Sequence, residues 1–200
     1  MIAFDLDGVL VDLMPIIKDE IEKAGDQILP GDQYHVTTYN GMSNRDFWEC
    51  VAKAYKRPKD ICPRTGAQEL LEVVHETTNR PIDIVTARPS WSATETYLSL
   101  EEIFKVPLRI VFAKGGSKEK WRYLNGYHFF VEDRRRTACE LGSHRITTFL
   151  LDAPYNQMAD PPHVVRIYSL NQLTSLIMAE VIDIKEGALA YERQWIETRV

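Results

Sequence analysis

Six short apolar segments constrain this chain more than any other feature: "MIAFDL", "IDIVTA", "LRIVFA", "YHFFVED", "ITTFLLD" and "VVRIY". They are rich in β-branched or aromatic residues, and several are apolar on consecutive positions. Strands buried on both faces read this way, and they belong to parallel sheets covered by helices. Helix-like stretches separate several of them: "GAQELLEVVHETT", "SWSATETYLSLEEIF", "SKEKWRYL" and "RRTACELG". The alternation predicts an α/β fold, a Rossmann-like doubly wound parallel sheet, in which ligands bind beyond the carboxyl ends of the strands.

One region interrupts the pattern. From Met14 to Cys62 no strong strand is visible, while "PIIKDEIEKAG" and "SNRDFWECVAKAY" carry apolar residues at helical spacing, with Ser43 or Asn44 placed to cap the second. The expected organisation is a core from residues 1–13 and 63–172, a helical insertion at 14–62, and a helical tail at 173–200. Leu173, Ile177, Val181 and Ile184 fall near one face of that tail, which suits packing or dimerisation.

Composition narrows the partners. Of 200 residues, 44% are hydrophobic and 26% charged, and the net charge is −5. An acidic chain lacks the basic face that displaces counterions from duplex nucleic acid. A small phosphorylated ligand drawn to one local positive site remains compatible. Cys50, Cys62 and Cys139 are odd in number and match no metal spacing, so they read as reduced thiols. The chain shows no bilayer-length apolar run and no basic leader, so a cytoplasmic protein is expected.

The chemistry concentrates at the strand ends. "IAFDLDGVLVD" crowds Asp5, Asp7 and Asp12 around Gly8. Like charges repel, and the usual remedy is a cation. A turn through Gly8 can offer the Asp5 carboxylate and the Asp7 carbonyl to Mg²⁺, leaving the Asp7 carboxyl to handle protons. Thr86 closes "IDIVTA", where its hydroxyl and the backbone N–H groups through Ala87 can hold phosphate oxygens; Arg88 follows and is a candidate for substrate contact. In "AKGGSKEKW", Ser117 reads as an N-cap, which places Lys118 in the first helical turn near the strand ends; Lys114 and Lys120 compete for the same phosphate-neutralising role. "FFVEDRR" supplies a second acidic strand end. Asp133 can complete a metal site with Glu132 behind it, or the reverse.

In this order the motifs resemble the haloacid dehalogenase (HAD) superfamily of phosphotransferases. "FDLDGVLVD" is similar to its DxDGxxxD first motif, "IVTARP" to its second and "FFVEDR" to its acidic fourth, with Lys118 standing for the third. The insertion resembles the C1-type cap. The small cap, "VEDR" and "LLDAPYN" look most like the 5′(3′)-deoxyribonucleotidase group and its bacterial and phage relatives. The resemblance implies a Mg²⁺-dependent phosphomonoester hydrolase that forms an aspartyl-phosphate. Asp5 would be nucleophile and Asp7 acid and base, with Thr86, Ala87 and Lys118 on phosphate and Arg88 on substrate. The metal would be held among Asp5, Asp7, Glu132 and Asp133. The substrate implied is a (deoxy)nucleoside monophosphate, met by a monomer or homodimer. Alternatives are another small phosphometabolite, or a ligand-sensing module with little turnover. Tyr34, Tyr39, Phe47 and Trp48 are aromatic candidates for stacking a base, although Phe47 and Trp48 on a helix suit cap packing better.

Overall fold

The computed structural model describes residues 1–26, 42–114, 116–180, 182–185 and 188–189, and Tyr34 and Tyr39 lie outside them. The chain begins with its central strand, β1 (Ile2–Phe4), buried on both faces. A short β2 (Val11–Asp12) leads into the helical insertion, formed by α1 (Met14–Lys23) and α2 (Asn44–Tyr55), and β3 (Cys62–Pro63) leads out of it. Then α3 (Ala67–Thr78), β4 (Ile82–Thr86), α4 (Ala93–Ile103), β5 (Leu108–Phe112), a 3₁₀ segment at Gly116–Tyr123, β6 (Phe129–Glu132), α5 (Arg135–Ser143), β7 (Thr147–Leu151), β8 (Val164–Ile167) and α6 (Leu170–Met178) follow.

Six strands form one parallel sheet in the order β5-β4-β1-β6-β7-β8. From β1 the chain builds outward on one flank through β4 and β5. It then crosses to the other flank and builds outward again through β6, β7 and β8. The reversal opens a crevice beside the carboxyl end of β1, where such sheets bind ligands. Alternation along the strands divides the core. Ile2, Phe4, Ile84, Val131 and Phe149 meet α3, α4 and α6 on one face. Ala3, Val85 and Phe130 meet α5 and the 3₁₀ segment on the other.

The insertion enters and leaves the core through a two-stranded ribbon, with Val11 opposite Pro63 and Asp12 opposite Cys62. Its helices pack together, and Ser43 Oγ accepts the Asp46 amide at 3.2 Å to cap α2. Arg57, just beyond α2, ties back to α1 through Asp19 and, at 2.7 Å, through Glu20. Phe47 is buried between these helices, whereas Trp48 on the next position is exposed.

Two expectations change. "SKEKWRYL" is a 3₁₀ segment that already begins at Gly116, so Ser117 lies inside it. The tail boundary at residue 173 falls inside α6, which packs on α3 as part of the core layer. Its helix stops at Met178, Glu180 takes a left-handed φ of 57°, and β9 (Ile182–Asp183) pairs antiparallel with β10 (Ala188–Leu189). Val181 lies outside the described residues. No described helix is long and apolar enough to cross a membrane.

Leu173 is fully buried and Met178 mostly exposed on the same helix. Leu173→Ala is therefore expected to cost about 2–5 kcal/mol in denaturant unfolding, and Met178→Ala under about 0.5 kcal/mol. Equal small effects would return α6 to the status of a loosely attached tail.

Candidate active site

Three strand ends converge at the crevice. Asp5 follows β1, Thr86 ends β4, and Glu132 ends β6 with Asp133 next. Asp5 is buried, and its Oδ1 accepts the Leu6 amide at 2.7 Å. Lys120 reaches in from the 3₁₀ segment with 1% of its side chain exposed, its Nζ 2.7 Å from Asp5 Oδ2 and 2.9 Å from Glu132 Oε2.

Lys120 thus occupies the place expected for Lys118, which is exposed. Residues 118 and 120 fall on different sides of the segment with either helical period, and the 3₁₀ segment that begins at Gly116 turns Lys120 inward. The sequence offered lysines at both places.

Glu132 is used up by the protein. Oε1 accepts the Asp133 amide at 3.2 Å and the Arg134 amide at 3.1 Å, and Oε2 faces Lys120. Asp133 is less satisfied. Tyr155 Oη donates to its Oδ2, while Oδ1 is buried with no hydrogen-bond partner. Asn156 Nδ2 donates to the Asp133 carbonyl at 2.7 Å and to Leu151 O at 2.8 Å. "LLDAPYN" therefore braces Asp133 from the next strand end, a role the sequence reading did not assign to Tyr155 or Asn156.

Oxygen atoms of Asp5, Glu132 and Asp133 lie within 4.8 Å of one another. Among the described residues, the Lys120 ammonium pairs with two of these three buried carboxylates, Asp5 and Glu132. Burial, and after it the charge of Glu132, pushes the Asp5 carboxyl up to about 8 against the pull of Lys120. Burial also raises Asp133 and Glu132. Burial pulls Lys120 down, but Asp5 and Glu132 outweigh it and hold the ammonium above its ordinary value. The set is short of positive charge. An all-oxygen cluster with an orphaned carboxylate oxygen fits a hard divalent cation such as Mg²⁺. Asp5, Glu132 and Asp133 could hold it; Asp133 has the unpartnered oxygen, while Glu132 is the most engaged by the protein.

Gly8 permits this crowding. Its φ is +81°, and a Cβ there would lie 2.1 Å from Asp133 Oδ2. The turn closes through Leu10 N to Leu6 O at 2.9 Å and Gly8 N to Val11 O at 2.9 Å, and Arg64 Nη1 donates to Gly8 O at 2.8 Å.

The Asp7 carboxylate points elsewhere and, among the described residues, joins no acidic cluster. Arg88 donates to it twice, Nε to Oδ2 at 2.9 Å and Nη2 to Oδ1 at 2.6 Å. Arg88, expected to touch substrate, instead engages a carboxylate of the protein. Thr86 Oγ1 accepts the Arg88 amide at 3.1 Å, and Ala87 is exposed at the turn between them. The strand end thus combines an exposed turn with a buried hydroxyl whose oxygen accepts from the backbone and whose O–H remains a donor.

No protein-family model matches the sequence, and no curated protein matches it. Solved structures do match. The chain is similar to protein tyrosine kinase A from Mycobacterium tuberculosis, with TM-score 0.60, 16% identity, and coverage of 88% of this chain and 96% of that one. It is similar to a HAD family hydrolase from Deinococcus radiodurans R1 with bound phosphate and sodium, with TM-score 0.57, 14% identity, and coverage of 90% and 94%. It is also similar to a β-phosphoglucomutase from Clostridium difficile, with TM-score 0.54, 16% identity, and coverage of 90% and 95%. The fold is the HAD-like Rossmann-type α/β fold. Proteins called kinase, hydrolase and mutase share it, so the reaction has to be argued from the site.

Two measurements check the metal site. Mg²⁺ at about one hundred times its Kd should stabilise the wild-type protein by about 2.7 kcal/mol against thermal unfolding. Asp133→Asn should lose that gain while melting no lower than wild type without metal, because it removes a disfavoured buried charge. Gly8→Ala should unfold more easily by more than about 1 kcal/mol, since both its φ and its contact with Asp133 exclude a side chain.

Proposed function

We propose that this protein is a Mg²⁺-dependent phosphomonoester hydrolase working through an aspartyl-phosphate on Asp5, with a nucleoside monophosphate as its substrate. One observation carries the reading: Lys120 sits 2.7 Å from a buried Asp5 at the switch point, while Asp7, two residues on, is held apart by Arg88. A nucleophile wants a neighbour that screens its charge from phosphate. An acid and base wants separation from that neighbour and access to the leaving group. The two carboxylates have these two environments.

Mg²⁺ held by Asp5 and Asp133 would supply charge neutralisation between the Asp5 carboxylate and an incoming phosphate. Asp5 attacks phosphorus, forming an O–P bond as the ester P–O bond breaks. Asp7 gives its proton to the departing alkoxide, then takes one from the water that cleaves the aspartyl-phosphate and restores Asp5. Lys120 has three N–H groups and spends two on Asp5 and Glu132, so the third serves an equatorial phosphate oxygen. The exposed turn at Ala87 offers backbone N–H groups to the same phosphate. The bound phosphate of the Deinococcus hydrolase supports a phosphate site in this fold.

The nucleotide assignment rests on the resemblance of the small cap, "VEDR" and "LLDAPYN" to the deoxyribonucleotidase group. The β-phosphoglucomutase likeness keeps sugar phosphates as the second reading.

Phosphate release from 5′- and 3′-ribo- and deoxyribonucleotides, sugar phosphates and an aryl phosphate tests both. Turnover should require Mg²⁺ and vanish with chelator or in Asp5→Asn. Preference for sugar phosphates would replace the nucleotide reading, and release from nothing would favour a ligand-sensing module. Lys120→Met should lower kcat by roughly 10²–10³-fold, comparable to losing a donor to developing charge, and Lys118→Ala by less than about twofold. The reverse order would restore Lys118.

A further inference from the structure

We propose that Arg88 is a positioning residue, a clamp that aims the Asp7 carboxylate at the leaving-group oxygen rather than a group that reads the substrate. The inference rests on the hydrolase reading above and adds a residue whose effect passes through another.

Arg88 has 0% of its side chain exposed, and Asp7 has 29%. The guanidinium is therefore sealed inside the protein while the carboxylate it holds still faces the crevice. Its donors are directed inward. Nε and Nη2 fork onto the two Asp7 oxygens, and Nη1 donates to Thr96 Oγ1 on α4 at 3.1 Å. The ring of Tyr55, the last residue of α2, stands 4.9 Å from the guanidinium carbon. A phosphate seeking this cation would have to displace Asp7. The backbone is held as well, through the Arg88 amide on Thr86 Oγ1.

Asp7 needs such a clamp. It lies on the turn that Gly8 bends, beyond the end of the strand, where a carboxylate has rotational freedom. Two parallel hydrogen bonds from a planar fork fix its orientation as well as attract its charge. A lysine ammonium keeps the charge but not the plane, so it cannot substitute.

Arg88→Met and Arg88→Lys are compared with wild type on a 5′-mononucleotide, whose alkoxide must be protonated, and on p-nitrophenyl phosphate, whose phenolate departs unaided. A misaimed Asp7 fails to protonate the alkoxide and fails to activate water. The expected result is a fall in kcat on the mononucleotide of about 10²-fold or more with KM changed less than about twofold. With p-nitrophenyl phosphate, both variants should release about one equivalent of nitrophenolate per enzyme in a burst before slow turnover, because aspartyl-phosphate forms and waits for Asp7. Thr96→Val, which removes one anchor and leaves the fork, should show the same pattern more weakly; it carries the test if Arg88→Met does not fold. A KM raised tenfold with kcat retained overturns the inference in favour of substrate contact. Equal losses on both esters with no burst, or full activity in Arg88→Lys, also overturn it. A wild-type protein that cleaves neither ester overturns the hydrolase reading and this inference with it, whereas an active wild type with unaffected variants overturns this inference alone.

Discussion

The buried ammonium of Lys120 is what allows the acidic crevice to exist. Placing Asp5 and Glu132 together in the interior is unfavourable twice over, through lost hydration and through mutual repulsion. Lys120 bonds to both and is itself almost wholly enclosed, beside the Phe130 ring at 5.5 Å. Removing it would strand two carboxylates without an internal counter-charge. The ammonium therefore offsets two buried charges from the same position in which the proposed hydrolysis would use it. Its own position depends on the 3₁₀ segment between β5 and β6, which Trp121 and Leu124 anchor to the face of the sheet opposite α3.

Around that centre the two aspartates of "DLD" are sorted into unlike environments. Asp5 sits within the acidic cluster, against Lys120 and near Glu132 and Asp133. Asp7 is turned away by the bend at Gly8 and paired with Arg88. Separation of neighbouring carboxylates into distinct surroundings is how one site obtains two proton-transfer characters. The close approach of Gly8 to Asp133 joins the two halves, because the same bend that diverts Asp7 also makes room for the carboxylate with the unpartnered oxygen.

Much of this was legible in the sequence, for reasons that also explain what was not. The six apolar segments are the six strands of the main sheet: β1 and β6 are buried throughout, which leaves a compositional mark that does not depend on distant partners, and the edge strands β5 and β8, only partly buried, are apolar enough to share it. Asp5, Glu132 and Asp133 were legible as strand-end acids for the same reason. Lys120 was not separable from Lys118, because "GSKEKW" offers lysines on different sides of one short segment and nothing local says which side meets the sheet. The Arg88–Asp7 pair spans 81 positions, and nothing in "TARP" announces which carboxylate the arginine will meet. The hydroxyl of Tyr155 is similarly remote from Asp133, 22 positions earlier. At the carboxyl end, helical spacing continued past Met178, but the left-handed turn at Glu180 ends the helix against that local pattern.

The route of the chain through its insertion links these parts. The β2–β3 ribbon holds the entering and leaving strands of the insertion side by side. The carboxyl end of α2 carries Tyr55 onto Arg88, and Trp91, just before α4, meets the same tyrosine edge-on at 6.0 Å. Burial raises the Tyr55 hydroxyl well above its ordinary value, so the ring acts here as a neutral cover. The surroundings of Asp7 are thereby assembled from the turn after β1, the end of β4 and the last residue of α2. Under the proposed hydrolysis, a leaving group that takes a proton from Asp7 would meet the insertion and the sheet together. Among the described residues, Asp5, Glu132 and Asp133 are surrounded by the strand ends, the 3₁₀ segment, Tyr155 and Asn156. The insertion would then discriminate among leaving groups from the Asp7 side.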